Sequence, residues 1–212
     1  MLDQTITDTV ADAAARPMRR SPVATTEVQR LTEGARPALQ AHFVALPDED
    51  RRLRFGAAIS AERICTYVAE IDLTRDAVFG LFDDTLALVG VAHVAFSDGA
   101  AELGISVLPG HRGRGAGRAL FERAAEHARN RSVSRLFTHC LAENAAMMHI
   151  ARASGMDIVI DAGDADAHLA LSPASPASVT GEYLTDRLAL FDYALKAHVA
   201  ALKGINAALE NA

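Results

Sequence analysis

The sequence predicts a mixed α/β fold of the α+β type, a mainly antiparallel sheet flanked by helices, with one further helix appended at the C-terminus. Three observations predict it. The first is a set of three apolar, β-rich runs, Ala77 to Phe82, Leu86 to Phe96 and Ala101 to Leu108, joined by Asp83-Asp84 and Ser97-Asp98-Gly99, both hairpin chemistry. The second is a glycine-rich turn, Gly110-His111-Arg112-Gly113-Arg114-Gly115-Ala116-Gly117-Arg118, between the third run and an amphipathic helical segment from Ala119 to Arg131. The third is a helical apolar repeat that runs to the end of the chain.

The other elements follow in order. Residues 1 to 25 are rich in Ala, Thr and Asp, broken by Pro17 and Pro22, and read as a mobile tail. The folded domain is expected over residues 26–172. Thr26 to Thr32 suits a first strand, and Arg36 to Leu46 a helix with Leu39, Phe43 and Leu46 on one face. Pro47-Asp48-Glu49-Asp50 begins a polar helical turn, and Ser60 suits the N-cap of a helix carrying Ile64, Val68 and Ile71. After the glycine turn come a strand (Arg135 to Leu141), a short helix (Asn144 to Ser154) and a hairpin (Met156 to Ile160 with His168 to Leu171).

Residues 173–180 read as a linker by composition, and residues 181–212 as an amphipathic helix. In that helix Leu184, Leu188, Phe191, Leu195, His198, Leu202, Ile205 and Leu209 recur in alternating steps of four and three. The simpler expectation is that this stripe lies on the domain itself. The alternative is a homodimer through residues 184–209.

Composition excludes several classes of function. The formal charge of −6 argues against nucleic-acid binding, although seven arginines between Gly110 and Arg135 meet only Glu122 and Glu126. Arg123 and Arg129 suit a solvated helix face. Cys65 and Cys140 are too few for a disulfide framework, and the eight histidines show no ligand spacing, so no metal is expected. With no apolar run of membrane-spanning length and no signal-peptide pattern, no membrane partner is expected and the expected compartment is the cytoplasm.

The glycine turn stands where backbone amides at a helix N-terminus favour an anion, and Arg112, Arg114 and Arg118 add charge there. Gly110 and Gly115 have P-loop spacing, but Ala116-Gly117 replace the required lysine and hydroxyl. Gly113, Gly115 and Gly117 miss the dinucleotide spacing and follow antiparallel hairpins.

Arg112-x-x-Gly115-x-Gly117 after Val107-Leu108-Pro109, with Glu143-Asn144 and Gly155-Met156 downstream, resembles the acyl-CoA motif of the GNAT acetyltransferase superfamily. The likeness runs from about Thr26 to Leu171, with an element order of strand, two helices, three strands, loop, helix, strand, helix, strand. It implies acetyl-CoA as co-substrate and an amine acceptor, either a small molecule or a protein. It also implies a pyrophosphate held by the turn (Arg112, Gly113, Arg114, Gly115, Ala116, Gly117, Arg118) and a pantetheine arm along Ser106, Val107 and Leu108. Asn144 is implied as a further contact. The strand ending at Leu108 and the Arg135–Leu141 strand are expected to splay apart to admit the arm.

Acetyl transfer to an amine needs a base, because an alkylammonium of pKa about 10.4 is protonated at neutral pH. Glu102, in register with Gly104 and Ser106, is the candidate base by position; a strand-end surface carboxylate is the alternative. The family often places an acidic tyrosine seven residues after the asparagine, and here that residue is Ala151. His149 and Cys140 are weak replacements, each better explained structurally. Asp48, Glu49, Asp50, Glu62, Glu70 and Asp72 could form an acidic mouth, although a solvated face is the simpler reading. The competing functional reading is a non-catalytic acyl-CoA-binding sensor or regulatory module that associates through its C-terminal helix.

Overall fold

The computed structural model describes residues 27–210, with side chains through residue 205; the expected tail, Thr26 and the side chain of Leu209 lie outside it. The elements in chain order are β1 (Val28–Arg30), α1 (Arg36–Ala45), α2 (Asp48–Phe55), α3 (Ala61–Glu70), β2 (Ala77–Phe82), β3 (Leu88–Ser97) and β4 (Ala100–Val107). They continue with α4 (Ala116–Asn130), β5 (Arg135–Leu141), α5 (Ala145–Ala153), β6 (Asp157–Asp161), β7 (Asp164–Ala170) and α6 (Pro176–Glu210). The polar turn after Pro47 is thus a full helix, and three helices rather than two precede β2.

The strands form one seven-stranded sheet in the order β1-β2-β3-β4-β5-β7-β6, antiparallel throughout except for the parallel β4–β5 pair. β2 is buried along its whole length because both faces are covered. Ala77, Phe79 and Leu81 pack with Leu120, Ala124 and Leu136 on the α4 side. Val78, Phe82 and Val91 pack with Leu39, Phe43, Ile64 and Val68 beneath α1 and α3. Ser60 caps α3 as expected, accepting from the Arg63 amide.

His42 is a buried polar tie between α1 and the sheet. Its Nδ1 lies 2.9 Å from the Leu88 carbonyl and its Nε2 2.8 Å from Ser106 Oγ. Burial lowers its pKa to about 4, so the ring is neutral at pH 7: Nδ1–H donates to the carbonyl and Nε2 accepts the serine hydroxyl.

The C-terminal helix departs from expectation twice. It begins at Pro176, inside the expected linker. Ser175 and Ser178 exchange backbone–hydroxyl hydrogen bonds of 2.9 and 3.1 Å, a reciprocal cap with proline at the first helical position. The helix does lie on the domain, against α4 and β1, but the apolar stripe is not what holds it there. Leu184, Leu188, Phe191 and Leu195 are 53–69% exposed. The inward face is Glu182, Asp186, Ala189, Tyr193 and Lys196, offset by two residues and so on the opposite side of the helix. Glu182 and Asp186 meet Arg123 at 3.3 and 2.5 Å, and Glu182 also meets His127 at 2.5 Å and Asn130 at 2.7 Å. Arg123, expected on a solvated face, is 0% exposed and stacks over Phe79.

Candidate functional site

The site originates in a local failure of strand pairing. β4 and β5 are registered only at Ala100–Arg135, Ala101–Leu136 and Glu102–Phe137. Beyond Glu102 the strands diverge, so Leu103 to Val107 keeps its β3 partner but presents its other edge to a cleft. The cleft has two chambers that share Leu53, Arg54, Ile105, Asn144 and Met147.

The first chamber, of about 450 Å³, is lined by Ser106, Val107, Arg112, Gly113, Gly115, Ala116, Gly117 and Arg118. Gly113 and Gly115 have φ of +73° and +83°, left-handed values that turn the chain from β4 into α4. Gly115 is the N-cap, so α4 starts at Ala116, three residues earlier than expected. The cap has no side chain to offer, and the first helical bond runs from the Ala119 amide to the Gly115 carbonyl at 2.9 Å. The amides of Ala116, Gly117 and Arg118 therefore precede the hydrogen-bond ladder and favour an anion. At Gly117 the helix passes close to α5: a Cβ there would lie 2.8 Å from Ile150 Cδ1, the movable end of that side chain. These bare amides and cationic side chains beside an open strand edge fit the pyrophosphate and amide-bearing arm of coenzyme A.

The three arginines differ. Arg112 Nε donates to the Val107 carbonyl at 2.8 Å and its Nη2 meets Asp50 at 2.7 Å, pinning the turn to β4 and α2. Arg118 pairs with Glu122 at 2.7 Å on the exposed rim. Arg114 points back to Gly110 and His111 and does not line the chamber. Leu108 is likewise outside the lining. Ser106 lines it, but its hydroxyl is committed to His42. Asn144 caps α5, accepting from the Met147 amide, and donates to the Leu53 carbonyl, so it ties α5 to α2 at the junction of the chambers.

The second chamber, of about 340 Å³, lies on the other side of that junction and is lined by Tyr67, His93, Glu102, Gly104, Thr138, His139, Cys140 and Asp164 among others. Glu102 is exposed at its edge. Cys140 is buried against Met147 and Met148, and burial, then Asp166 and Asp164, pushes its thiol pKa up. It holds its proton and packs as a small hydrophobe. His149 is exposed and lines the first chamber, away from Glu102. Ala151 is 1% exposed in the central core. None of the six carboxylates expected to form an acidic mouth lines the second chamber. Asp48 pairs with Arg51, Glu49 with Arg52, Asp50 with Arg112, and Asp72 accepts from Thr74.

Sequence reasoning did not single out Arg54, Tyr67, His93 or Asp76. They come from α2, α3, β3 and the turn before β2, and no short-range spacing connects them. The one local hint is Gly104 on β4, opposite His93, where a Cβ would lie 2.3 Å from the Arg54 guanidinium carbon.

A sheet splayed at a parallel pair, with a glycine turn and helix N-terminus at the mouth, defines the class of acyl-CoA-dependent acetyltransferases. The chain belongs to the acetyltransferase (GNAT) family, whose model matches residues 29–156. Members of this class use acetyl-CoA. Among solved structures the chain is similar to the GNAT domain of S. lividans PAT, with 21% identity over 68% of this chain and 89% of that one and a TM-score of 0.59. It is similar to spermidine N-acetyltransferase from Vibrio cholerae, solved with CoA and spermine, with 17% identity over 68% and 94% and a TM-score of 0.54. It is also similar to the ribosomal-protein-S18-alanine N-acetyltransferase of Escherichia coli, with 22% identity over 70% and 96% and a TM-score of 0.53. At these identities the likeness shows the fold alone. No curated protein matches the chain in sequence. Among the described residues no helix is long and apolar enough to cross a membrane, and no group of three or more His, Cys, Asp or Glu could hold a metal.

Proposed function

We propose that this chain transfers acetyl from acetyl-CoA to an amine by direct attack, with coenzyme A in the turn-lined chamber and the amine in the chamber of Tyr67, His93 and Glu102. The carrying observation is that the open edge of β4 runs from one chamber into the other, so that a thioester laid along Val107 to Ile105 reaches the second. The amides of Ala116 to Arg118 hold the pyrophosphate, Arg112 braces the turn, and Asn144 keeps the chambers joined. Glu102 faces the amine chamber as the carboxylate that receives an ammonium.

Coenzyme A release on a panel of polyamines, amino acids and peptides with free N-termini tests this reading. Glu102→Gln is expected to lower kcat/KM for the amine about 10- to 100-fold, the worth of one charge-assisted hydrogen bond, and to leave acetyl-CoA binding intact. Binding without turnover on the whole panel would favour the non-catalytic module.

The exposed stripe of α6 supports a homodimer. From Leu184 to Ile205 it keeps a heptad rhythm over about 33 Å of helix, and the face that would otherwise bury it is already committed to α4. A helix of the same period is its natural complement, and a second copy supplies one. Leu188→Glu with Leu195→Glu is expected to convert a dimer to a monomer by sedimentation equilibrium with little change in acetyl-CoA binding. A wild-type chain that sediments as a monomer at 100 μM would sink the idea.

A further inference from the structure

Arg54, Tyr67, His93 and Asp76 form a hydrogen-bonded chain from the buried Asp76, at the end of the turn before β2, to the amine chamber. The Asp76 carboxylate, 5% exposed, accepts from the Phe96 amide and lies 3.2 Å from His93 Nε2. His93 Nδ1 is 2.7 Å from the Tyr67 hydroxyl, and Arg54 Nη2 is 3.4 Å from the same oxygen. Tyr67 is fixed by edge-on contacts with Phe43, Phe55 and His93, and Arg54 lies over Phe43 and Phe55.

The donors and acceptors have one consistent arrangement. A carboxylate only accepts, so Nε2 carries the ring proton. Burial, and then the Arg54 charge, hold the His93 pKa below its ordinary value, so the ring is neutral at pH 7 and Nδ1 accepts. The phenol must then donate to Nδ1, and its oxygen, which also accepts from Arg54 Nη2, keeps a lone pair for the chamber. The charged groups around His93 are Asp76 from its turn, itself paired with Arg75 at 3.2 Å, Arg54 from α2, and Glu102 at the edge of the same chamber on β4. Gly104, opposite it on β4, adds no side chain.

Resting on the acetyltransferase reading above, we infer that Tyr67, backed by His93 and Asp76, is the base that deprotonates the acceptor ammonium. One N–H bond of the ammonium breaks as an O–H bond forms on Tyr67, and the phenol's own proton passes to His93 Nδ1, leaving an imidazolium paired with Asp76. The neutral amine then attacks the thioester. The C–N bond forms, the C–S bond breaks, and the amine's next proton leaves with the sulfur. The proton on His93 returns to solvent as products depart. Tyr67 is the catalytic residue; His93, Asp76 and Arg54 position it.

Two measurements test the relay. In Tyr67→Phe, kcat is expected to fall about 100-fold, within the range for losing a general base, with the acetyl-CoA-induced rise in Tm retained as evidence of folding. The wild-type kcat/KM is expected to fall on the acid side as His93 protonates. In Tyr67→Phe that limb should give way to a tenfold rise per pH unit, as free amine is supplied by solution alone. Glu102→Gln should act chiefly on KM. Independently of turnover, long-range 15N–1H spectra of the ligand-free protein, with His93→Gln as assignment control, should show the Nε2–H tautomer at pH 7.5. A Tyr67→Phe enzyme with parental kcat and acid limb, or an Nδ1–H tautomer at His93, would overturn the relay. Acetyl-CoA binding with no amine turned over by the wild type would instead count against the transferase reading, and the tautomer would still decide the relay.

Discussion

Replacing Gly115 with valine is expected to weaken acetyl-CoA binding by about 30- to 1000-fold. Gly115 sits at φ +83° as the N-cap of α4, and a β-branched residue there meets a left-handed penalty of about 1–2 kcal/mol. If the turn relaxes to an ordinary φ, the amides of Ala116, Gly117 and Arg118 no longer converge on one point. Losing one or two hydrogen bonds to a charged phosphate costs about 2–4 kcal/mol, which gives the stated range. Calorimetric titration with acetyl-CoA checks the loss, and the Tm of the ligand-free protein separates it from unfolding. Gly117→Ala is the informative contrast. Its Cβ meets only the mobile tip of Ile150, so affinity should stay within about threefold of wild type. Equal losses in the two variants would mean that the turn acts through helix packing rather than through its amides.

The sequence was most legible where one local rule sufficed. β2 and β5 fall at their expected bounds, because an apolar β-rich run between turn residues admits few alternatives. The cleft was legible in outline, since a strand followed by a glycine turn and a helix implies bare amides whatever lies around them. The start of α6 is hidden in the composition for a local reason. Ser175-Pro176-Ala177-Ser178 has linker composition, yet the two serines cap each other and proline suits the first helical turn. The orientation of α6 was hidden for a different reason. Its apolar stripe is the natural guess for the packed face, but Arg123 inverts the choice, because a fully buried guanidinium demands carboxylates and Glu182 and Asp186 lie opposite the stripe. The second chamber was least legible. Asp76, His93 and Tyr67 meet only after three separate elements are packed together.

Arg123→Met is expected to lower stability by about 3–5 kcal/mol, the cost of breaking a buried ion pair from one side. For a chain of this size that corresponds to a fall in Tm of about 6–20 °C, measurable by thermal unfolding. The side chain is 0% exposed and bridges Glu182 and Asp186 across the α4–α6 contact, so its loss strands carboxylates where only His127 and Asn130 remain to receive Glu182. The same cluster sets an acid limit. Burial alone would raise the Glu182 carboxyl, but His127, Asn130 and the Arg123 charge bring it down to about 2 from an ordinary 4.5. A depressed folded-state pKa means stability that is complete above about 4.5 and lost as pH falls toward about 2. Glu182→Gln should flatten that limb. Replacing Arg123, Glu182 and Asp186 together with methionine or leucine should recover most of the loss, because no charge is then left buried and unpaired. A single Arg123→Met substitution that costs under 1 kcal/mol would show that α6 is held by Ala189 and Tyr193 instead. Because α4 carries the glycine turn at its N-terminus and this cluster in its last turns, acetyl-CoA should bind more weakly to Arg123→Met only if loosening α6 shifts the whole helix. Unchanged affinity in the destabilised variant would place the turn and the latch in separately stable halves of α4.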